Sequence, residues 1–139
     1  MAVQIEILYE GEQHCAATHG PSKQHLTTDA PVDNGGRGAA FSPTDLVATA
    51  LGTCMATIMG LLAQRHNLDL NGMRIHVTKE MVADPLRRIG SLTTRIEIPR
   101  ARNLSPADRA RLEAAAKACP VKQSLSPEVK TPMEFIYAD

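Results

Sequence analysis

Three cysteines, Cys15, Cys54 and Cys119, occur in the 139-residue sequence, and Cys119 has neighbours that suit thiol chemistry. Three cysteines are too few to cross-link a chain of this length, which leaves packing, metal binding or thiol chemistry as their uses. The N-terminus lacks the basic start and the apolar run of a secretion signal. We therefore expect a cytoplasmic protein without structural disulfides.

Cys119 is followed by Pro120, and this pair predicts a helix boundary. Proline cannot continue the preceding helix but can begin a new one, which Cys119 would then cap. Because sulfur near a helix N-terminus lies close to Lys117 and Lys122, we expect a lowered thiol pKa. An inward-facing cysteine without chemistry explains the same pattern equally well.

Cys54 lies in the middle of a long predicted helix, where its own context favours a small apolar side chain in a tight contact. Ser42 can cap this helix, Pro43 suits its first position and Asp45 completes an S-x-x-D capping box. The helix should end near residue 66. Apolar and small residues cover nearly its whole circumference, which predicts burial on most sides. Since so short a chain cannot supply that cover, the sequence predicts a homodimer.

The segment from Leu46 to Ala63 in this helix has 18 residues without a formal charge, at the lower edge of a membrane span. Threonine, glycine and alanine dilute its hydrophobicity, and the flanking segments look like soluble sheet. We therefore expect no membrane span.

Period-two alternation and turn residues predict the remaining elements. On the second helix, Leu112, Ala116 and Cys119 share one face, which should direct the Cys119 sulfur inward. The order indicates a single α+β domain over residues 1–139. The predicted elements are a strand at 3–7, two weaker strands within 14–28, a loop at 29–42, the long helix, strands near 73–78 and 92–98, a helix at 105–119 and a strand at 131–137.

Charge and aromatic content argue against nucleic-acid binding. Basic and acidic residues number 15 each, and the chain has two Tyr, two Phe and no Trp. The protein therefore lacks both a net positive charge and an abundance of side chains that could stack on bases.

The sequence SPTDLVATALGTC, which ends at Cys54, together with Cys119-Pro120, resembles the OsmC/Ohr family of osmotically inducible and organic hydroperoxide resistance proteins. The order of elements agrees over nearly the whole chain. This resemblance implies an OsmC-like fold, with antiparallel sheets packed on a long central helix and a second helix. It also implies an intertwined homodimer with its sites near the dimer interface.

The resemblance assigns a role to each cysteine. Cys54 would be the peroxidatic nucleophile, whose thiolate attacks the O–O bond and becomes a sulfenic acid. Cys119 would resolve that acid as a disulfide, and an external dithiol would reduce the disulfide. The implied chemistry needs no metal and no bound cofactor, and would serve oxidative or osmotic stress defence.

Two supporting residues of the family are displaced in this chain. Family members that act strongly on organic hydroperoxides have a glutamate ten residues before the first cysteine and an arginine in the N-terminal sheet. Here Thr44 occupies the first of these positions, Asp45 follows it, and the first arginine is Arg37, in a glycine-rich loop. Arg37 and Asp45 are possible substitutes. Asp45 would be about 13 Å along the helix from Cys54 and on its opposite side, so it could act only through Arg37 or across a dimer. A helix cap for Asp45 and a solvated position for Arg37 are the alternatives.

Cys15 lies among His14, His19 and His25, which raises the question of a metal site. The spacing fits no standard ligand pattern, and alternate strand residues point to opposite faces. We expect strand and surface residues there, and no metal.

The leading functional hypothesis is a cytosolic, homodimeric, thiol-dependent hydroperoxide reductase. The displaced glutamate and arginine favour an alternative, a non-catalytic binding or stress-associated protein of the same fold whose cysteines mainly pack. A third hypothesis is a thiol enzyme that acts on another electrophile.

Overall fold

The computed structural model describes residues 1–139. The chain forms two compact units, residues 1–47 and 48–139. Short 3-10 turns occupy Val32–Asn34 and Ala101–Asn103. The strands and α-helices, in chain order, are β1 (Ile5–Gly11), β2 (His14–His19), β3 (His25–Asp29), α1 (Pro43–Arg65), β4 (Arg74–Val82), β5 (Arg88–Ile98), α2 (Pro106–Lys117), α3 (Pro120–Ser124) and β6 (Met133–Tyr137).

The N-terminal unit contains an antiparallel sheet in the order β1-β2-β3. The three strands predicted in this region are therefore confirmed. The alternation of Val3, Ile5 and Ile7 with polar residues predicts a half-buried first strand. This expectation is wrong for the single chain, because the three side chains are 51%, 60% and 67% exposed.

The glycine-rich segment between β3 and α1 is ordered by its own backbone. The Gly36 N–H donates to the Pro31 carbonyl over 3.0 Å, and the Gly38 N–H donates to the Ala30 carbonyl over 3.2 Å. A Cβ atom on Gly36 would lie 1.9 Å from the Ala30 oxygen, so only glycine fits there. The predicted loop thus has a fixed path that carries Arg37.

Helix α1 begins at the predicted capping box. The Asp45 N–H donates to Ser42 Oγ over 3.1 Å, and the Ser42 N–H donates to Asp45 Oδ2 over 2.9 Å. One face of α1 is buried and the face that carries Thr53 and Thr57 is exposed, so the single chain covers only part of this helix, and its cover by a second copy stays a prediction. By length and composition α1 could span a membrane, but a core helix of a soluble protein passes the same test.

The C-terminal unit contains a second sheet in the order β4-β5-β6. Strands β4 and β5 are antiparallel, but β6 runs parallel to β5. The antiparallel sheets that the resemblance implied are therefore wrong for this sheet, which is mixed. Helix α1 lies close to β4 at Gly52, where an added Cβ would be 3.0 Å from Val77 Cγ2. The α+β class is confirmed. The largest fully buried side chains of this unit are Leu51, Met55, Met59, Leu92, Thr94, Ile96, Ile98, Leu112 and Cys119.

Candidate redox site

Cys54 and Cys119 meet in the C-terminal unit, where both are free thiols that share a hydrogen bond. Cys54 lies in α1, and Cys119 lies between α2 and α3. The Cys54 thiol contributes to a raised pKa of Cys119, so the two side chains lie close together. Two neighbouring cysteines of this kind can form a disulfide if their geometry permits it.

The short helix predicted after Cys119 is confirmed as α3. Cys119 is its N-cap residue, with extended backbone, and its Sγ accepts the Lys122 N–H over 3.4 Å. Helix α2 ends at Lys117, slightly before the predicted boundary. Pro120 therefore both closes one helix and opens the next.

The expected lowering of the Cys119 pKa is wrong. Burial raises the pKa of this thiol above its ordinary value of 9.0, and the contact with Cys54 raises it further. The Lys122 and Val121 N–H groups lower it, each by less than burial raises it. Cys119 is 0% exposed, so the desolvation that sequence alone does not reveal decides the direction.

The two sulfurs differ in access to solvent. Cys119 is fully buried, whereas Cys54 is partly exposed. A small molecule from solution can therefore reach Cys54 first, while Cys119 keeps its proton behind it. The arrangement thus places one solvent-accessible thiol, Cys54, beside one buried thiol, Cys119.

The three possible supporting residues all lie in the N-terminal unit. Arg37 forms an exposed ion pair with Glu12, a partner that sequence reasoning missed because the two residues are distant in the chain. Asp45 takes part in the capping box, and Thr44 Oγ1 lies 3.3 Å from Ser42 Oγ. The capping alternative for Asp45 is therefore realised.

Cys15 and its neighbouring histidines do not converge. Cys15 pairs with Tyr9 and Thr28 across the N-terminal sheet. His14 Nδ1 instead lies 2.7 Å from Oδ1 of the buried Asp29, a contact that no sequence pattern indicated. No group of three or more His, Cys, Asp or Glu side chains is arranged to hold a metal ion.

Comparison with known proteins identifies the family to which this chain belongs. A sequence profile of the OsmC-like protein family matches residues 35–134. A Psychrobacter arcticus protein, provisionally named an osmotic stress induced and detoxification response protein, is 37% identical, with a TM-score of 0.88 over 94% of this chain and 93% of its own. Among curated proteins, none matches the sequence significantly.

More distant solved structures share the fold. The Legionella pneumophila organic hydroperoxide resistance protein OsmC is 16% identical, with a TM-score of 0.77 over 98% of this chain and 97% of its own. The Bacillus subtilis protein OhrB is 15% identical, with a TM-score of 0.67 over 97% and 98%. The chain belongs to the OsmC-like protein family, as its resemblance to OsmC/Ohr proteins predicted.

Proposed function

We propose that this protein is a thiol-dependent hydroperoxide reductase in which Cys54 attacks the peroxide and Cys119 resolves the product. The unequal burial of two sulfurs in contact carries this proposal. Cys54 is the sulfur that a peroxide can reach, and Cys119 is fully buried beside it. The family of the chain and the printed names of its distant relatives make organic hydroperoxides the preferred substrate class.

The reaction has two balanced steps. The Cys54 thiolate attacks one oxygen of the O–O bond, which yields the Cys54 sulfenic acid and releases an alcohol after protonation. The Cys119 sulfur then attacks the Cys54 sulfur, and a Cys54–Cys119 disulfide forms with loss of water. An external dithiol reduces this disulfide and restores both thiols. No step requires a metal or a bound cofactor.

The setting of this activity is a soluble, cytoplasmic protein of oxidative or osmotic stress defence, consisting of one domain over residues 1–139. A free, reduced cysteine pair suits the reducing cytoplasm. The stress role is supported by the printed name of the 37%-identical relative.

The active form is a homodimer in this proposal. Residues Ile7 and Leu26 lie on one face of the N-terminal sheet, because both are aligned with Ala17 of β2. Ile7 is 67% exposed and Leu26 is 47% exposed, and Ile5 and Tyr9 continue the face at 60% and 61%. An exposed apolar sheet face of this kind is typical of a protein–protein interface. A second copy of the chain is the occupant that the family fold favours.

Arg37 and Asp45 are retained as supporting residues, and Thr44 as the position that replaces the family's glutamate. An arginine near the attacking sulfur would stabilise its thiolate and polarise the peroxide, and a carboxylate would orient the arginine. The ion pair between Arg37 and Glu12 is exposed and therefore weak, so it leaves the guanidinium available at little cost.

A non-catalytic protein of the same fold is the second candidate. The observations that favour it are the engagement of Arg37 by Glu12 and of Asp45 by the helix cap. In that case the cysteines pack and the exposed apolar surface binds a partner.

Peroxide turnover separates the two candidates. With dithiothreitol as reductant, we expect the wild-type protein to consume an organic hydroperoxide continuously and Cys54→Ser to lose roughly a hundredfold or more in rate. Cys15→Ser is the matched control, because it replaces the one cysteine that the proposed reaction does not use and should leave the rate unchanged. A wild-type rate equal to that of Cys54→Ser would overturn the proposed activity and favour the non-catalytic candidate.

A further inference from the structure

Helix α2 is tied to β6 by a polar cluster of three side chains. The Tyr137 hydroxyl donates to Glu113 Oε2 over 2.6 Å, and the Arg109 guanidinium lies 4.4 Å above the Tyr137 ring centroid. Arg109 Nη2 also donates to the Ala101 carbonyl over 2.8 Å, just before the helix. Tyr137 and Glu113 are partly buried, where a hydrogen bond to a carboxylate is strong.

The phenol remains a donor under all ordinary conditions. Burial, followed by the hydrogen bond to Glu113, raises the pKa of Tyr137 well above its ordinary value. The link between helix and strand therefore does not depend on pH in the physiological range.

Few apolar contacts hold α2 in place. Leu112 and Ala116 are its only buried residues, and alanine contributes little apolar area. The Tyr137–Glu113 bond lies on the same side of the helix as Ala116, one turn before it. Leu112, this bond and the two contacts of Arg109 therefore set the rotation and axial position of α2.

The end of α2 sets the position of Cys119. The Ala118 N–H still donates to the Ala114 and Ala115 carbonyls, both over 3.1 Å, so the helical path continues to the residue before the cysteine. Glu113 is six residues, or about 9 Å, before Cys119 along this path. A shift of the helix at Glu113 is therefore transmitted to the buried sulfur.

We propose that Tyr137 and Glu113 are positioning residues for the resolving cysteine. They hold α2 in the register that keeps Cys119 Sγ against Cys54, and so set the rate of disulfide closure without affecting the attack on peroxide. This inference rests on the proposed function for its biological meaning. The step concerned is attack of the Cys119 sulfur on the Cys54 sulfenic acid, which forms the S–S bond and releases water.

The test compares the two chemical steps in Tyr137→Phe and the wild type. Loss of the first thiol with cumene hydroperoxide reports attack by Cys54, and the lifetime of the sulfenic acid, trapped with a dimedone reagent, reports closure. We expect unchanged attack and closure about fivefold slower, well inside the hundredfold that a 1 Å misplacement can cost.

Two further variants separate positioning from general damage. Glu113→Gln keeps an oxygen acceptor for the Tyr137 hydroxyl. This variant should therefore retain most of the wild-type rate of disulfide closure. Arg111→Ala removes an exposed hydrogen bond to Asp108 on the same helix and should leave both steps unchanged. Equal closure in Tyr137→Phe and wild type would overturn the inference, as would equal slowing of both steps.

A peroxide-free arm keeps this inference distinct from the proposed function. Oxidised glutathione forms a mixed disulfide with Cys54, which Cys119 attacks with release of glutathione. In one outcome, the wild type fails to react with hydroperoxide and still forms the Cys54–Cys119 disulfide from the mixed disulfide about fivefold faster than Tyr137→Phe does. That result would refute the proposed function and support the positioning role. If closure from the mixed disulfide is independent of Tyr137, the positioning role fails.

Discussion

At the residue scale, the notable property of the site is that two chemically identical side chains have different environments. Cys119 is buried away from solvent and Cys54 is partly exposed, although the Cys54 thiol lies close enough to raise the pKa of Cys119. Peroxide attack needs access and a thiolate, whereas resolution needs only a neighbour in contact. The difference in burial therefore favours Cys54 for the proposed attack on peroxide and Cys119 for the proposed resolution.

Replacement of the buried sulfur should stop the reaction halfway. With one equivalent of hydroperoxide, we expect Cys119→Ser to retain a Cys54 sulfenic acid, because no second sulfur can condense with it. Mass spectrometry of the intact protein should show one added oxygen atom, and Cys15→Ser should instead form the same disulfide as the wild type. A disulfide between Cys54 and Cys15 in Cys119→Ser would contradict this assignment.

The raised pKa of Cys119 also predicts a stability profile. Its ordinary value is 9.0, so above that pH the unfolded chain loses the thiol proton while the folded chain keeps it. The corresponding stability is fully present below the unfolded pKa and is lost as pH rises through the folded pKa.

Between pH 8 and 10, we therefore expect the free energy of unfolding of the wild type to fall more steeply than that of Cys119→Ser. Denaturant titration at each pH measures this difference. Both proteins retain Tyr137, so its titration cancels. Parallel profiles for the two proteins would show that the folded-state pKa is not raised.

Sequence reasoning identified the contacting cysteines but not their electrostatics. Cys119-Pro120 predicts a cap from local rules, and α3 bears this out. The direction of the pKa shift depends on how deeply the rest of the fold covers the sulfur, which no local pattern encodes. Sequence reasoning also did not find that Arg37 pairs with Glu12 or that Tyr137 pairs with Glu113. The two members of each pair are distant in the chain, so no local pattern links them.

At the element scale, α1 owes its position to a close approach at Gly52. An added Cβ there would lie 3.0 Å from Val77 Cγ2, whereas one on Gly60 would meet nothing within 4 Å. The two glycines thus give a matched pair of substitutions in one helix, one against β4 and one in open space.

Gly52→Ala should be destabilised by about 1 kcal/mol, because Val77 or the helix must shift. Gly60→Ala should be stabilised by roughly 0.5–1 kcal/mol, since alanine costs less entropy in a helix. Thermal and denaturant unfolding measure both changes. If Gly52→Ala were as stable as Gly60→Ala, the close approach of Gly52 to Val77 would contribute nothing to the free energy of unfolding.

The elements themselves were largely predictable because their signals are local. The Ser42 and Ser105 caps define both main helix starts, and alternation defines the strand pair. Burial of these elements was not predictable, as the exposed Ile5 and Ile7 of β1 demonstrate. Burial depends on which surfaces meet, and apolar alternation does not specify whether the covering surface belongs to the same chain.

At the scale of the whole molecule, the exposed apolar sheet face predicts self-association. Ile7→Lys should shift the protein from dimer towards monomer, because a charge on this face opposes its desolvation. Leu86→Lys is the control, since Leu86 is 75% exposed in the hairpin between β4 and β5. Sedimentation velocity at micromolar concentration measures both. A wild-type monomer would contradict the proposed dimer.

The central claim, that Cys54 and Cys119 form a redox pair driven by hydroperoxide, is tested most directly by thiol counting on the reduced wild-type protein. After one equivalent of an organic hydroperoxide, free thiols should fall from three to one, and peptide mapping should find a Cys54–Cys119 disulfide and an unmodified Cys15. If all three thiols survive and the peroxide is not consumed, the claim is wrong.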